Sequence, residues 1–229
     1  MKYERLRPDE IEAIRAKVPV AVLPWGALEW HGYHAAIGLD GLKAAAFADA
    51  VADRIGAISL PTLYCGHGTM KPQAGFGHTI EISAATLESL AHEYVAQLAE
   101  EGFAVVVIIS GHGNPDHLAA LERGARPAAD AAGISLWILP DNAAIDDEEY
   151  PFDHAAKWET SVLCHVDPDL VDLTKVRSDL DLEAQGILGL NPVETASREM
   201  GAAAFDEIVA TIADRALKLL GQESQRTDP

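Results

Sequence analysis

The chain alternates short apolar runs with longer segments in which apolar residues recur at helical spacing. VPVAVLP (18–24), AISLP (57–61), FAVVVIIS (103–110) and ISLWILP (134–140) have the length of strands, while GLKAAAFADAVADRI (41–55) and ATLESLAHEYVAQLAEEG (85–102) are Ala-rich and of helical length. That rhythm is βαβ. FAVVVIIS and ISLWILP are apolar at consecutive positions, which predicts strands covered on both faces, in a parallel sheet between helix layers. The expected fold is an α/β three-layer α/β/α sandwich with a mainly parallel central sheet, a single domain over 1–229. Pro115 suits the first turn of a helix running toward Arg126, which Gly124 and Pro127 should shorten or kink. Asn191-Pro192 opens a long amphipathic helix over 193–220. The least regular stretch is 141–153, where Asp141, Asp146, Asp147, Glu148, Glu149 and Asp153 occur without a basic residue. It is predicted to be an exposed loop, placed as a lid beside a site.

Composition narrows the partners. With 36 acidic against 17 basic residues, the formal charge of -19 argues against nucleic acid or anionic membrane, both of which reward clustered Lys and Arg. No window offers the ~20 apolar residues of a membrane helix, and the start MKYERLRPDE lacks the apolar stretch of a signal peptide. A cytoplasmic protein acting on a small molecule is expected. Cys65 and Cys164 form no CxxC pair and read as ordinary thiols, so neither a disulfide framework nor a thiolate zinc site is suggested.

The polar residues that interrupt this pattern fall in three clusters. The first strand runs into LPWGALEWHGYHAAIGLD, which sets Glu29, His31, His34 and Asp40 just beyond a carboxyl end, where ligands bind in open parallel sheets. Glu29 and His31 are two apart, so in extended backbone both reach the same side. Carboxylate and imidazole suit Zn²⁺ or Mn²⁺, and a carboxylate such as Asp40 can bridge two ions. Taken alone, a Glu-x-His pair also reads as solvated loop. SGHGN (110–114) puts His112 at the same sheet edge between two glycines, or in a merely exposed turn. DHAAKWETS (153–161) sets His154 ahead of a helix start and Glu159 in its first turn. There His154 could move protons and Glu159 could be a fifth ligand, or Glu159 and Lys157 could be surface helix charges. His67 and His78, in the middle segment, are candidates for substrate contact. Trp158 is a candidate to cover the pocket, with packing as the other reading. His92, His117 and His165 read as ordinary helix or surface residues. No GxSxG elbow supports a serine nucleophile.

LPWGALEWHGYHAAIGLD, SGHGN and HAAKWETS resemble, in order and spacing, the motifs of the creatininase family, which run roughly LPxGSxEQHGxHLPxxxD, NGHGGN and HAGExETS. KPQAGFGHTIEIS (71–83) and LNPVETASREMG (190–201) extend the likeness over nearly the whole chain. The resemblance implies two divalent ions, Zn²⁺ or Mn²⁺ with Fe²⁺ as a further option, and hydrolysis of a cyclic or linear amide by a bridging hydroxide. It also implies a homo-oligomer, commonly a hexamer. By position, Glu29, His31, Asp40 and His112 match metal ligands, with Asp40 as the bridge. His154 matches the residue that transfers a proton, Glu159 the acidic residue near or on the metals, and His34 a residue that supports the ligands or meets substrate. Ser110, Ala156 and Lys157 depart from the motifs, and Asn114, a candidate substrate contact, falls where creatininase itself has an acidic ligand. The implied chemistry is therefore that of the family, with the substrate open. Relatives that open a keto-cyclitol or lactone ring on the same centre, and a non-catalytic metal-binding or assembly protein of this fold, are the alternatives.

Overall fold

Alternation of side chains along each strand builds two cores. In the computed structural model, which describes residues 1–145 and 151–227, Val20 and Val22 point to one side of the sheet and Ala21, Leu23 and Trp25 to the other. The elements run α1 (Pro8–Arg15), β1 (Val20–Gly26), α2 (Leu39–Ile55), β2 (Ile58–Ser59), β3 (Leu63–Tyr64), α3 (Met70–Ala74), α4 (Ala84–Glu100), β4 (Val105–Ser110), α5 (Pro115–Ala132), β5 (Ser135–Pro140), α6 (Lys157–Val166), α7 (Pro192–Thr195) and α8 (Arg198–Thr227). One core joins the sheet to α2, α6 and α8 through Phe47, Val51, Val107, Val162 and Ile212. The other joins it to α4 and α5 through Leu87, Val95, Val106, Ile108 and Leu121. The expected three-layer sandwich is what forms.

All named strand pairs are parallel, in the order β2-β1-β4-β5, with β3 also pairing β1. The chain leaves β1 toward β2 and β3 and returns on the other side as β4. The order therefore reverses between β1 and β4, and their carboxyl ends flank the crevice where such sheets bind ligands. Gly26 and Ser110 end those two strands, so Glu29 and His112 follow directly into it. β4 is buried throughout, whereas β5 is only partly buried; among the described residues no strand pairs with its other edge.

Three expectations are corrected. The helix from Pro115 continues past Gly124 and Pro127 to Ala132. Gly124 is what lets α5 lie close to α4, since a Cβ there would stand 2.1 Å from Glu88 O. The helix expected over 193–220 is two helices: α7 ends at Thr195, and Ser197 accepts the Met200 N–H on its Oγ at 3.1 Å to start α8. Ser197 N–H in turn donates to Ser161 Oγ at 3.1 Å, tying the break to α6. Ser197→Ala should cost about 1 kcal/mol, read as a Tm lower by about 2–4 °C in a chain of this size; an unchanged Tm would deny that cap its role. The stretch 141–153 is not uniformly exposed loop. Asp141 opens a short 3-10 turn, Asp141–Ala144, and both Asp141 and Asp153 are buried; Asp146, Asp147, Glu148 and Glu149 lie outside the described residues.

Candidate metal centre

Past Gly26 the chain passes Glu29 and His31 and turns into α2, whose second residue is Asp40. Past Ser110 it passes His112 before Asn114 caps α5, its Oδ1 accepting the Asp116 and His117 N–H groups at 2.8 and 3.4 Å. Asp153 accepts the Trp158 and Glu159 N–H groups at 2.7 and 3.2 Å, fixing the start of α6, and that turn delivers Glu159. Glu29, His31, Asp40, His112 and His154 are all buried.

The ring nitrogens show which atoms are free. Carbonyl oxygens only accept, so a ring nitrogen bonded to one carries the proton. His31 Nδ1–H donates to Glu29 O at 3.0 Å, His112 Nε2–H to His67 O at 3.0 Å, and His154 Nε2–H to Trp30 O at 2.9 Å. In their neutral forms His31 and His112 then each turn a lone pair toward carboxylates. His31 Nε2 lies 3.1 Å from Asp40 Oδ1 and 3.5 Å from Glu159 Oε2. His112 Nδ1 lies 2.9 Å from Glu29 Oε2 and 3.4 Å from Asp40 Oδ2. Yet His31 Nε2 and Glu29 Oε2 are buried without a hydrogen-bond partner. Lone pairs that converge at contact distance need a proton or a metal cation between them, and carboxylate-imidazole donor sets suit divalent metals.

Among the described residues, three groups have ligand atoms mutually within 4.8 Å: Glu29, Asp40 and His112; His31, Asp40 and Glu159; and Glu29, His31 and His154. Asp40 is common to the first two and faces each with a different oxygen, Oδ2 toward His112 and Oδ1 toward His31. Electrostatics follow from this crowding. Burial opposes a charge on His31, but Asp40, Glu159 and Glu29 outweigh it and raise the imidazole to about 9. Burial likewise opposes protonation of His112, outweighed by Asp40 and Glu29, while Asp40 is held well below the usual carboxylate range by His31 and His112 despite its burial. His154 is pushed down, by burial first and then by His31.

A cavity of about 110 Å³ is lined by Glu29, Asp40, His112, Asn114, His154 and Glu159, with Phe152 and Leu188 among its apolar lining. Of the other candidates, Asn114 lines this cavity, whereas His34, His67, His78 and Trp158 are not among its lining residues. His34 is buried with Nε2 3.1 Å from Thr160 Oγ1, and burial with His31 nearby lowers it to about 4. His67 lies behind His112 and supplies its carbonyl. His78 is exposed, at φ 55, and stacks on Trp30 with centroids 6.4 Å apart. Trp158 lines a neighbouring cavity with Lys43 and Asp141 and packs on the core, with Lys157 Nζ 4.1 Å from its ring. Asn114 has its Oδ1 occupied by the cap, and its Nδ2 donates to Gly68 O at 2.8 Å.

Sequence reasoning missed several participants. Lys43 is buried and reaches Glu159 Oε1 and Asp141 Oδ2 at 2.9 and 3.1 Å. The sign was available: Leu39, Lys43, Phe47 and Val51 recur every four residues along α2, an apolar stripe carrying one cation. The Met70 N–H donates to Glu29 Oε1 at 2.6 Å. Glu81 fixes that segment by accepting the Gly68 and Thr69 N–H groups at 2.8 and 3.0 Å; nothing local in the sequence marks these. His117 is no surface residue but fully buried, its ring edge-on to His112 at 5.0 Å and its Nδ1 accepting the His67 N–H at 3.3 Å. Burial, then His112, lower it to about 3.

Known proteins are similar to this chain. Residues 4–216 match the Creatininase family model, described as creatinine amidohydrolase. A creatinine amidohydrolase of Pseudomonas putida is 28% identical over 85% of this chain and 87% of its own length. A mycofactocin precursor peptide peptidase of Mycolicibacterium smegmatis is 33% identical over 68% of this chain and 61% of its own. A creatininase crystal structure superposes with a TM-score of 0.82 over 97% of both chains at 28% identity. A manganese form (TM-score 0.79) and a mutant of Zn-Zn type (TM-score 0.78) each match at 29% identity over 93% of this chain and 96% of their own. Among the described residues no helix is long and apolar enough to cross a membrane. The chain belongs to the creatininase family and is a metal-dependent hydrolase of the amidohydrolase type.

Proposed function

We propose that the chain cleaves the C–N bond of a small polar amide, a cyclic amide or a formamide, at a centre of two divalent ions, Zn²⁺ or Mn²⁺. One position is formed by Glu29, Asp40 and His112 and the other by His31, Asp40 and Glu159. The observation that carries this reading is Asp40, whose two oxygens face two different ligand groups. Divalent ions held there would polarise a carbonyl and lower the pKa of a bound water toward neutrality.

The residues of the chain supply the rest. The carbonyls of Glu29 and His67 fix the rings of His31 and His112 in the tautomers that ligate. The Trp30 carbonyl does the same for His154, leaving Nδ1 as the atom that exchanges a proton with the leaving nitrogen. Phe152 and Leu188 give the cavity an apolar side against which a substrate could pack.

The reading is tested with metal-replete protein on cyclic amides, formamides, short peptides, lactones and keto-cyclitols, each with and without chelator. Turnover of a C–N substrate, lost on chelation and restored by Zn²⁺ or Mn²⁺, is expected. Turnover of lactones or keto-cyclitols alone would replace the amide reading with ring opening, and turnover of none would leave a metal-binding assembly protein. Chelation should also lower Tm, because ions that bind only the folded state stabilise it by about 4 kcal/mol at a thousand times Kd, about 10 °C here. A Tm indifferent to chelator and to added Zn²⁺ would remove the centre altogether.

A further inference from the structure

Lys43 is a buried cation that the proposed reaction does not use. It stands on α2 one turn after Asp40 with its side chain 3% exposed, and Nζ donates to Glu159 Oε1 at 2.9 Å and lies 3.1 Å from Asp141 Oδ2. An ammonium taken out of water must be paired, and burial here is outweighed by Asp141, Glu159 and Asp40, which keep it protonated. The consequence falls on Glu159. Its Oε1 belongs to Lys43, and its Oε2 accepts the Ala155 N–H at 2.7 Å while lying 3.5 Å from His31 Nε2. Both oxygens are anchored, so the carboxylate cannot turn. Ala155 itself sits at φ 54, a conformation that costs a residue with a Cβ and that here aims its N–H at Glu159.

We infer that Lys43 is a positioning residue: it withholds one oxygen of Glu159, so that Glu159 presents a single oxygen, Oε2, to the ion position shared with His31 and Asp40. The inference rests on the reading of Glu159 as a ligand. It concerns one ion and not the other, because Glu29, in the companion group, has its Oε1 held by the neutral Met70 N–H at 2.6 Å. Asp141 also pairs with the Lys43 ammonium, at 3.1 Å, and belongs to neither of the two ligand groups.

The test is Zn²⁺ affinity, measured by competition with a chromophoric chelator. Lys43→Met should weaken one of two Zn²⁺ ions about 10- to 100-fold, the cost usual when the partner of a metal ligand is lost, and leave the other within about threefold. Glu159→Gln should weaken the same ion, and Lys43→Met added to Glu159→Gln should bring no further loss. Asp141→Asn, which leaves the Lys43–Glu159 contact in place, should keep both ions. If Lys43→Met does not fold, Lys43→Met with Asp141→Asn, which leaves no carboxylate facing the lost cation at that end, is measured in its place. Two ions bound at wild-type affinity by Lys43→Met, beside a Glu159→Gln that has lost one, would overturn the inference alone. Two ions kept by Glu159→Gln would overturn Glu159 as a ligand, and Lys43 with it. Asp141→Asn weakening an ion as much as Lys43→Met would show a general charge effect in place of positioning.

Discussion

Asp40→Ala is expected to empty both ion positions together. Each of the two groups would lose an oxygen, since Oδ1 faces His31 and Oδ2 faces His112. Removal of Glu29, which joins His112 in only one of those groups, should spare the His31–Asp40–Glu159 position. The difference is read in metal content after gel filtration: both ions lost for Asp40→Ala, one retained for Glu29→Ala. Several kcal/mol of transition-state stabilisation depend on the ions, so turnover in Asp40→Ala should fall by about a thousandfold or more. The fold should survive. Asp40 also accepts the Ala27 N–H, but at 3.3 Å, and its removal relieves a buried negative charge beside Glu29 and Glu159. An Asp40→Ala protein that still carried two ions would disprove the shared ligand.

Much of this was legible because the signals were local. Two consecutive-apolar runs, 18–24 and 103–110, are β1 and β4 to within two residues at each end, and the polar residues that follow them had to emerge at one sheet edge. Glu29, His31, Asp40 and His112 follow those two runs and could be grouped before any distance was known, whereas Glu159, in α6, joined them through the family resemblance. What stayed hidden depends on contacts between segments far apart in sequence. Lys43 looked like one charge on an Ala-rich helix, because its partners Asp141 and Glu159 lie about a hundred residues on. Asp141 and Asp153 looked like members of an acidic loop, yet one meets Lys43 and the other caps α6. The break between α7 and α8 was masked by continuous helical periodicity; Ser197 breaks it because Ser161, on another helix, takes its N–H. His117 resembled any helix residue until α5 turned it beneath His112.

The same long-range logic makes Gly111→Ala the second large effect. Gly111 follows β4, and a Cβ there would stand 2.0 Å from Asp40 O; Gly26, at the end of β1, meets Gly41 N at 2.3 Å in the same way. Both strand ends thus press on the first turn of α2, and that close approach is what brings Asp40 between Glu29 and His112. The obstructing atoms are backbone, so no side-chain rotation relieves the overlap, and α2 must move. Overpacking of this kind costs about 1–3 kcal/mol and occasionally more; with backbone on both sides the upper end is expected, a Tm lower by about 6–12 °C. Displacement of α2 should carry Asp40 with it, so Zn²⁺ affinity should fall as well as stability. Gly77→Ala is the control, because a Cβ there meets nothing within 4 Å and should change neither quantity. Gly111→Ala with wild-type Tm and two ions bound would mean that β4 does not set the position of Asp40.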